Sequence, residues 1–210
     1  MFLWWLGFIL LGLPLWIMYP TKVIHKKRFD RKKKYVIASN HYSNADSLIY
    51  DLHFRRRFRY VAKKELFKKK FFAWVLRKIG AIPIERGSIS PSAYKEILSV
   101  LKNNEQLFIY PEGTRNKIED GEMQQAKEGL ILFASKGEAE ILPMLIYRKP
   151  KLFRKNYIIV GEPFFVQGEN PKRLTKEEIE ENLKAYSEKM EALRAELKTV
   201  VERKKKKNKK

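Results

Sequence analysis

His41 and Asp46 stand five residues apart in Asn40-His41-Tyr42-Ser43-Asn44-Ala45-Asp46. A carboxylate that accepts the Nδ1 proton of an imidazole fixes its tautomer, stabilises its charged form and leaves Nε2 as a base. Spacing restricts how the two can meet. Five residues on one ideal helix turn the side chains about 140° apart, so a continuous helix separates them. They meet only where His41 lies in a strand-to-helix turn and Asp46 near the helix start, with Asn44 as a candidate N-cap. The other two histidines, His25 and His53, belong to no such pattern. Other chemistries lack their parts. There is no cysteine, hence no thiol nucleophile, disulfide framework or cysteine-based zinc site. No G-x-S-x-G, H-E-x-x-H, Walker A loop or G-x-G-x-x-G occurs. Ser43 lies close to the pair, but nothing in the sequence activates it as an attacking group.

A base of this kind needs a frame. Tyr35–Ser39, Arg59–Ala62, Ala81–Ile84, Gln106–Tyr110, Ile141–Tyr147 and Tyr157–Val160 read as strands. Asp46–Arg56, Lys64–Lys78, Pro91–Asn103, Ala126–Ser135 and Lys176–Arg203 read as helices, with Ser90-Pro91 a good helix start. The alternation predicts an α/β fold with a mixed, mainly parallel sheet flanked by helices. The last helix carries apolar residues at Ile179, Leu183, Tyr186, Met190, Leu193, Leu197 and Val200. That is an amphipathic face to lay against the domain, or alternatively a coiled-coil seam. Two further blocks sit at strand ends, where open α/β sheets place ligands: Gly80-Ala81-Ile82-Pro83-Ile84-Glu85-Arg86 and Tyr110-Pro111-Glu112-Gly113-Thr114-Arg115.

These blocks, in this order, resemble the glycerolipid acyltransferase family, and within it the bacterial 1-acylglycerol-3-phosphate (lysophosphatidic acid) acyltransferases. The family's N-H-x-x-x-x-D, G-x-x-x-I-x-R and F-P-E-G-T-R blocks are followed by an apolar block holding a proline, here Ile141-Leu142-Pro143-Met144-Leu145-Ile146. Ala62-Lys63-Lys64-Glu65-Leu66 and Lys127-Glu128-Gly129 match flanking signatures. The likeness covers roughly residues 20 to 165, and Tyr110 replaces the usual phenylalanine. It implies transfer of a fatty acyl group from a thioester to the free hydroxyl of 1-acylglycerol 3-phosphate, forming phosphatidic acid. His41 and Asp46 would be catalytic. Lys63, Arg86 and Arg115 would hold phosphate, arginine bidentately and lysine as a point charge. Glu112, Gly113 and Thr114 resemble the acceptor-binding turn, with Glu112 holding Arg115 or glycerol oxygens. No metal or cofactor is expected, only acyl-CoA or acyl-ACP as co-substrate. A related acyltransferase using glycerol 3-phosphate or another lysophospholipid is the alternative. From another class, the composition also suits a non-enzymatic basic protein that binds membranes or nucleic acid.

The chain has 210 residues and a formal net charge of +21, which favours an anionic partner. Eight Lys/Arg fall within Lys22–Lys34, directly after the apolar stretch Phe2–Tyr19, and nine fall within Arg55–Lys70. Apolar followed by polybasic sequence points to an anionic membrane surface rather than nucleic acid. Gly7, Gly12, Pro14 and the spread of tryptophans favour a segment lying in one leaflet over a single span. No basic residue precedes the stretch and no small-residue cleavage pattern follows, so a cleaved signal peptide is not expected. The expected organisation is a membrane-associating helical segment at residues 1–24, an acyltransferase domain at 25–203 and a disordered basic tail at 204–210. The expected location is the cell membrane, with the catalytic domain on the cytoplasmic face. Phe71-Phe72-Ala73-Trp74, after Lys68-Lys69-Lys70, is a second amphipathic candidate for the membrane.

Overall fold

The structure is a computed structural model, which describes residues 12, 14–85, 89–117 and 123–207. Strands are β1 (Thr21–Ile24), β2 (Tyr35–Ser39), β3 (Arg59–Lys63), β4 (Ile82–Ile84), β5 (Leu107–Ile109), β6 (Glu140–Ile146) and β7 (Asn156–Val160). Helices are α1 (Ala45–Phe54), α2 (Lys70–Lys78), α3 (Pro91–Lys102), α4 (Gly129–Lys136) and α5 (Lys176–Lys207). The strands form one sheet in the order β1-β7-β6-β2-β5-β3-β4. Five strands run parallel; β7 is antiparallel to β6, and β1 follows β7. The expected mixed, mainly parallel sheet is therefore present.

β2 is buried along its whole length, as an apolar run in the middle of a two-faced sheet must be. Val36 and Ala38 face one core, shared with Ile97 and Leu101 of α3, Leu130 of α4 and Leu197 of α5. Tyr35 and Ile37 face the other, where Ile49, Tyr50 and Phe54 of α1 pack with Phe58 and Phe108. Because β2 to β6 all run the same way, their C-terminal ends share one edge of the sheet. Pairing fixes the levels there: Ala38 lies opposite Ile109, Tyr60 opposite Phe108, and Lys63 opposite Ile84.

Several expected elements differ in detail. β1 was hidden in the polybasic stretch, because an edge strand needs only one partner and Thr-Lys-Val-Ile shows little apolar pattern. Lys64–Lys78 is not one helix but a 3-10 turn (Lys64–Phe67) followed by α2, with the break inside the lysine triplet. α4 starts at Gly129 rather than Ala126, since the Lys127 amide donates to Pro111 O at 3.0 Å and is held by the turn after β5. Ser90 caps α3 as expected, accepting from the Ala93 amide at 3.3 Å. α5 lies on the domain through Ile179, Tyr186, Met190, Leu193, Leu197 and Val201. Val201, not Val200, is its last buried contact, because a straight 3.6-residue helix drifts off a seven-residue repeat. It continues to Lys207, and lysines in a last turn suit the negative helix end.

Most of the apolar stretch Phe2–Tyr19 lies outside the described residues. Among the described residues no helix is long and apolar enough to cross a membrane.

Candidate active site

β2 ends at Ser39, and the next seven residues build a closed turn. Asn40 is buried and spans to the neighbouring strand. Its Nδ2 donates to Ile146 O and its Oδ1 accepts from the Ile146 amide, both at 2.9 Å. His41 follows in the turn, and Asp46 falls in the first turn of α1, where the helix dipole favours negative charge. His41 Nδ1 meets Asp46 Oδ2 at 2.9 Å. Asp46 is 0% exposed, and burying an unpaired carboxylate costs several kcal/mol. Four donors offset that: His41 Nδ1, the amides of Tyr42 (2.6 Å) and Ser43 (2.8 Å), and Ser43 Oγ (3.0 Å). Bonds of this charge-assisted kind contribute about 1.5–3 kcal/mol each.

Because Asp46 only accepts, the proton sits on Nδ1 and the lone pair of neutral His41 on Nε2. Among the described residues nothing bonds to Nε2. The imidazole is also held from its face. Tyr110 stacks on it with centroids 3.9 Å apart and planes 16° from parallel. The Tyr110 hydroxyl bonds Ser47 Oγ at 2.8 Å, and the Asn116 amide donates to His41 O at 2.7 Å. Burial raises the Tyr110 phenol well above its ordinary value, so it remains a neutral donor.

The second turn, after β5, is built differently. Gly113 takes φ +69°, a left-handed value that suits glycine, and a Cβ there would come within 3.1 Å of Lys127 Nζ. Thr114 Oγ1 donates to Gln124 Oε1 at 2.6 Å. Arg115 Nη2 donates to Asn44 Oδ1 at 2.7 Å, which brings the arginine to the His41 turn. That bond also corrects two expectations. Asn44 precedes α1 but does not cap it with its side chain, since that oxygen is committed to Arg115. Glu112 is not the partner of Arg115. It turns inward, 6% exposed, beside a cavity of about 220 Å³ lined by Pro111, Met123, Gln124, Tyr186 and Met190. Its Oε2 has no hydrogen-bond partner, and burial pushes its carboxyl up to about 7.

Lys63 stands at the end of β3, level with Pro111 when the register is counted on from Tyr60 and Phe108. Its Nζ pairs with Glu65 at 3.0 Å, not with the His41 turn. Arg86 lies outside the described residues. Among the described residues no group of three or more His, Cys, Asp or Glu is placed to hold a metal ion.

The family model for acyltransferases matches residues 20–147, which contain both turns. The chain belongs to the acyltransferase family. It is similar to the 1-acyl-sn-glycerol-3-phosphate acyltransferase of Bacillus subtilis (strain 168), 33% identical over 156 residues, which cover 68% of this chain and 73% of that one. It is also 33% identical over 138 residues to the enzyme of the same name from Borreliella burgdorferi, covering 65% of this chain and 54% of the relative. Among solved structures it resembles the 1-acyl-sn-glycerophosphate (LPA) acyltransferase PlsC from Thermotoga maritima, with TM-score 0.66 and 24% identity over 90% of this chain and 76% of that one. At that identity the likeness is one of fold.

The turn carries not only the His41–Asp46 pair but also the parts that hold it, and several of these were not evident beforehand. Asn40, Tyr110 and Asn116 steady the imidazole or its backbone through partners far away in sequence. Lys127, covering Gly113, lies in a block already matched on sequence, but its position over the turn follows only from the fold.

Proposed function

We propose that this acyltransferase moves a fatty acyl group from a thioester to the free hydroxyl of 1-acylglycerol 3-phosphate, forming phosphatidic acid. The observation that carries this reading is the His41–Asp46 contact, which leaves Nε2 as the free basic atom at the strand-end edge. His41 Nε2 takes the hydroxyl proton as the oxygen attacks the thioester carbonyl. Asp46 stabilises the imidazolium that forms. The tetrahedral adduct collapses, the C–S bond breaks, and the departing sulfur receives the proton from His41. The new bond is the C–O bond of the ester. Ser43 takes no covalent part, since its hydroxyl is spent on Asp46.

Arg115, Lys63 and Arg86 bind the acceptor phosphate in this reading, and Gly113 and Thr114 form the turn against which glycerol rests. The donor is acyl-coenzyme A or acyl carrier protein; both are anionic and suit a chain of charge +21. The apolar stretch Phe2–Tyr19 and the Lys22–Lys34 run hold the enzyme to an anionic bilayer, and the positive-inside bias puts it on the cytoplasmic side.

The test is free-thiol release from acyl-CoA and acyl carrier protein with a panel of acceptors: 1-acylglycerol 3-phosphate, glycerol 3-phosphate and lysophospholipids with larger headgroups. The proposal expects the highest kcat/KM with 1-acylglycerol 3-phosphate. A preference for another acceptor would reassign the substrate, and no turnover with any would remove the reaction.

A further inference from the structure

We infer that the β6–β7 hairpin inserts its tip, Leu152-Phe153, into an anionic lipid bilayer, as an insertion point separate from the N-terminal stretch. This rests on the membrane reading above and adds a contact to it. The hairpin leaves the sheet at Ile146, the residue clamped by Asn40, so it projects from the same edge as His41. Leu152 is 49% exposed and Phe153 73%, the highest exposure of any large apolar side chain among the described residues. Phe153 adopts φ +56°, a left-handed backbone value uncommon outside glycine and asparagine. An aromatic residue held so, with its ring outward at a loop tip, gains nothing in water.

The surroundings say what covers it. Arg148, Lys149, Lys151, Arg154 and Lys155 flank the tip within nine residues that include no acid. The Phe153 amide donates to Met18 O at 2.7 Å, and the Asn156 amide to Pro20 O at 2.7 Å. The hairpin is thereby fastened to the end of the apolar N-terminal stretch, where Trp16 and Ile17 are also more than half exposed, at 55% and 56%. β1 and β7 run opposite to the other strands, so Lys22 and Lys155 come to this edge as well. Lys204 joins them from α5; its contact with Lys22, partial burial and the charges of Lys22 and Lys155 pull its ammonium down to about 8. Crowded lysines of this kind are relieved by an anion. Apolar tips ringed by cations match a bilayer of anionic headgroups over acyl chains. A protein partner would need a complementary acidic rim around an aromatic pocket.

The absence of cysteine makes a direct test possible. Phe153→Cys gives the full-length protein one attachment point for an environment-sensitive dye. Phe165→Cys serves as control, since Phe165 is 56% exposed but follows the far end of β7, next to the Phe164 bridge to Ile141. On vesicles of phosphatidylglycerol and phosphatidylcholine, the dye at 153 should shift to the blue and be quenched by nitroxide-labelled lipid. The dye at 165 should report water. Leu152→Ser with Phe153→Ser should weaken vesicle binding about tenfold while leaving thiol release with a dispersed short-chain acceptor unchanged. A dye at 153 that reports water on protein co-sedimenting with vesicles would overturn the insertion. So would a blue shift that tracks protein concentration without lipid, which would mean self-association, or failure of the wild type to bind vesicles. Lack of turnover on the dispersed acceptor would count against the reaction alone and leave the labelling result standing.

Discussion

The two turns at the strand-end edge bury one carboxylate each, and they treat it in opposite ways. Asp46 is wrapped by four donors and fixed against its histidine. Glu112 is nearly as buried, yet one of its oxygens has no partner and it faces a cavity. The first turn is finished before substrate arrives. The second has unspent polar capacity: a buried acid, a glycine-permitted left-handed bend and an exposed arginine. A base must be oriented in advance, because misplacement weakens proton transfer steeply. An acceptor site can complete its bonds with the ligand.

Breaking the finished turn should have the largest effect. His41→Ala is expected to lower kcat about 10²–10⁴-fold by removing the proposed general base. The protein should stay folded with a lowered unfolding midpoint, because three of the four donors to Asp46 remain. Asp46→Asn should lower kcat strongly and also lower stability, since an amide cannot accept from all four. Wild-type turnover in folded His41→Ala would end the distinction between the turns. In the second turn the loss should fall on binding. Arg115→Ala should raise KM for a phosphate-bearing acceptor about 10–150-fold, the equivalent of one charge-assisted hydrogen bond, with little change in kcat. Equal losses for acceptors with and without phosphate would show that Arg115 serves the His41 turn through Asn44 instead.

Glu112 gives the comparison a pH signature. Its folded carboxyl titrates near 7, above its ordinary 4.5, so the folded state holds a proton that the unfolded state has released between those values. Stability should therefore fall as pH rises through that window and level off above it. Glu112→Gln removes the titration, and should stabilise the protein by about 1–3 kcal/mol at pH 8 while making little difference below pH 4.5. Denaturant unfolding at both pH values reads this directly. The smallest effect should come from the ring over His41. Tyr110→Leu is expected to lower kcat about 2–12-fold, the scale of one aromatic pair, whereas Tyr110→Phe keeps the stack and should lose less. If Phe costs as much as Leu, the bond to Ser47 matters more than the stacked face.

What could be read from sequence follows how local each feature is. His41 and Asp46 stand five residues apart, and the turn that joins them follows from that spacing, so their contact was legible. The central strands announce themselves as apolar runs because both faces are covered. β1 did not, since an edge strand among lysines carries little apolar signal. Asn40 with Ile146, Tyr110 with His41 and Arg115 with Asn44 join residues far apart in sequence, and only the register of β2 between β5 and β6 brings them together. Glu112 facing inward was missed for the same reason: α5, some 70 residues on, forms the wall it meets.

Asn40 has one more consequence, and it is a matter of height. Its side chain ties the residue before His41 to the root of the β6–β7 hairpin by two bonds, so the His41 turn and the hairpin root are fastened together. The seven residue steps from Ile146 to Phe153 reach at most about 23 Å when fully extended. Were the tip seated in lipid as inferred, it would act as a leg no longer than this, and His41 would stand at a bounded height above the leaflet. If the enzyme works as proposed, an acceptor must lift its glycerol hydroxyl to that height, and how far a lipid can rise from the bilayer becomes part of what is selected.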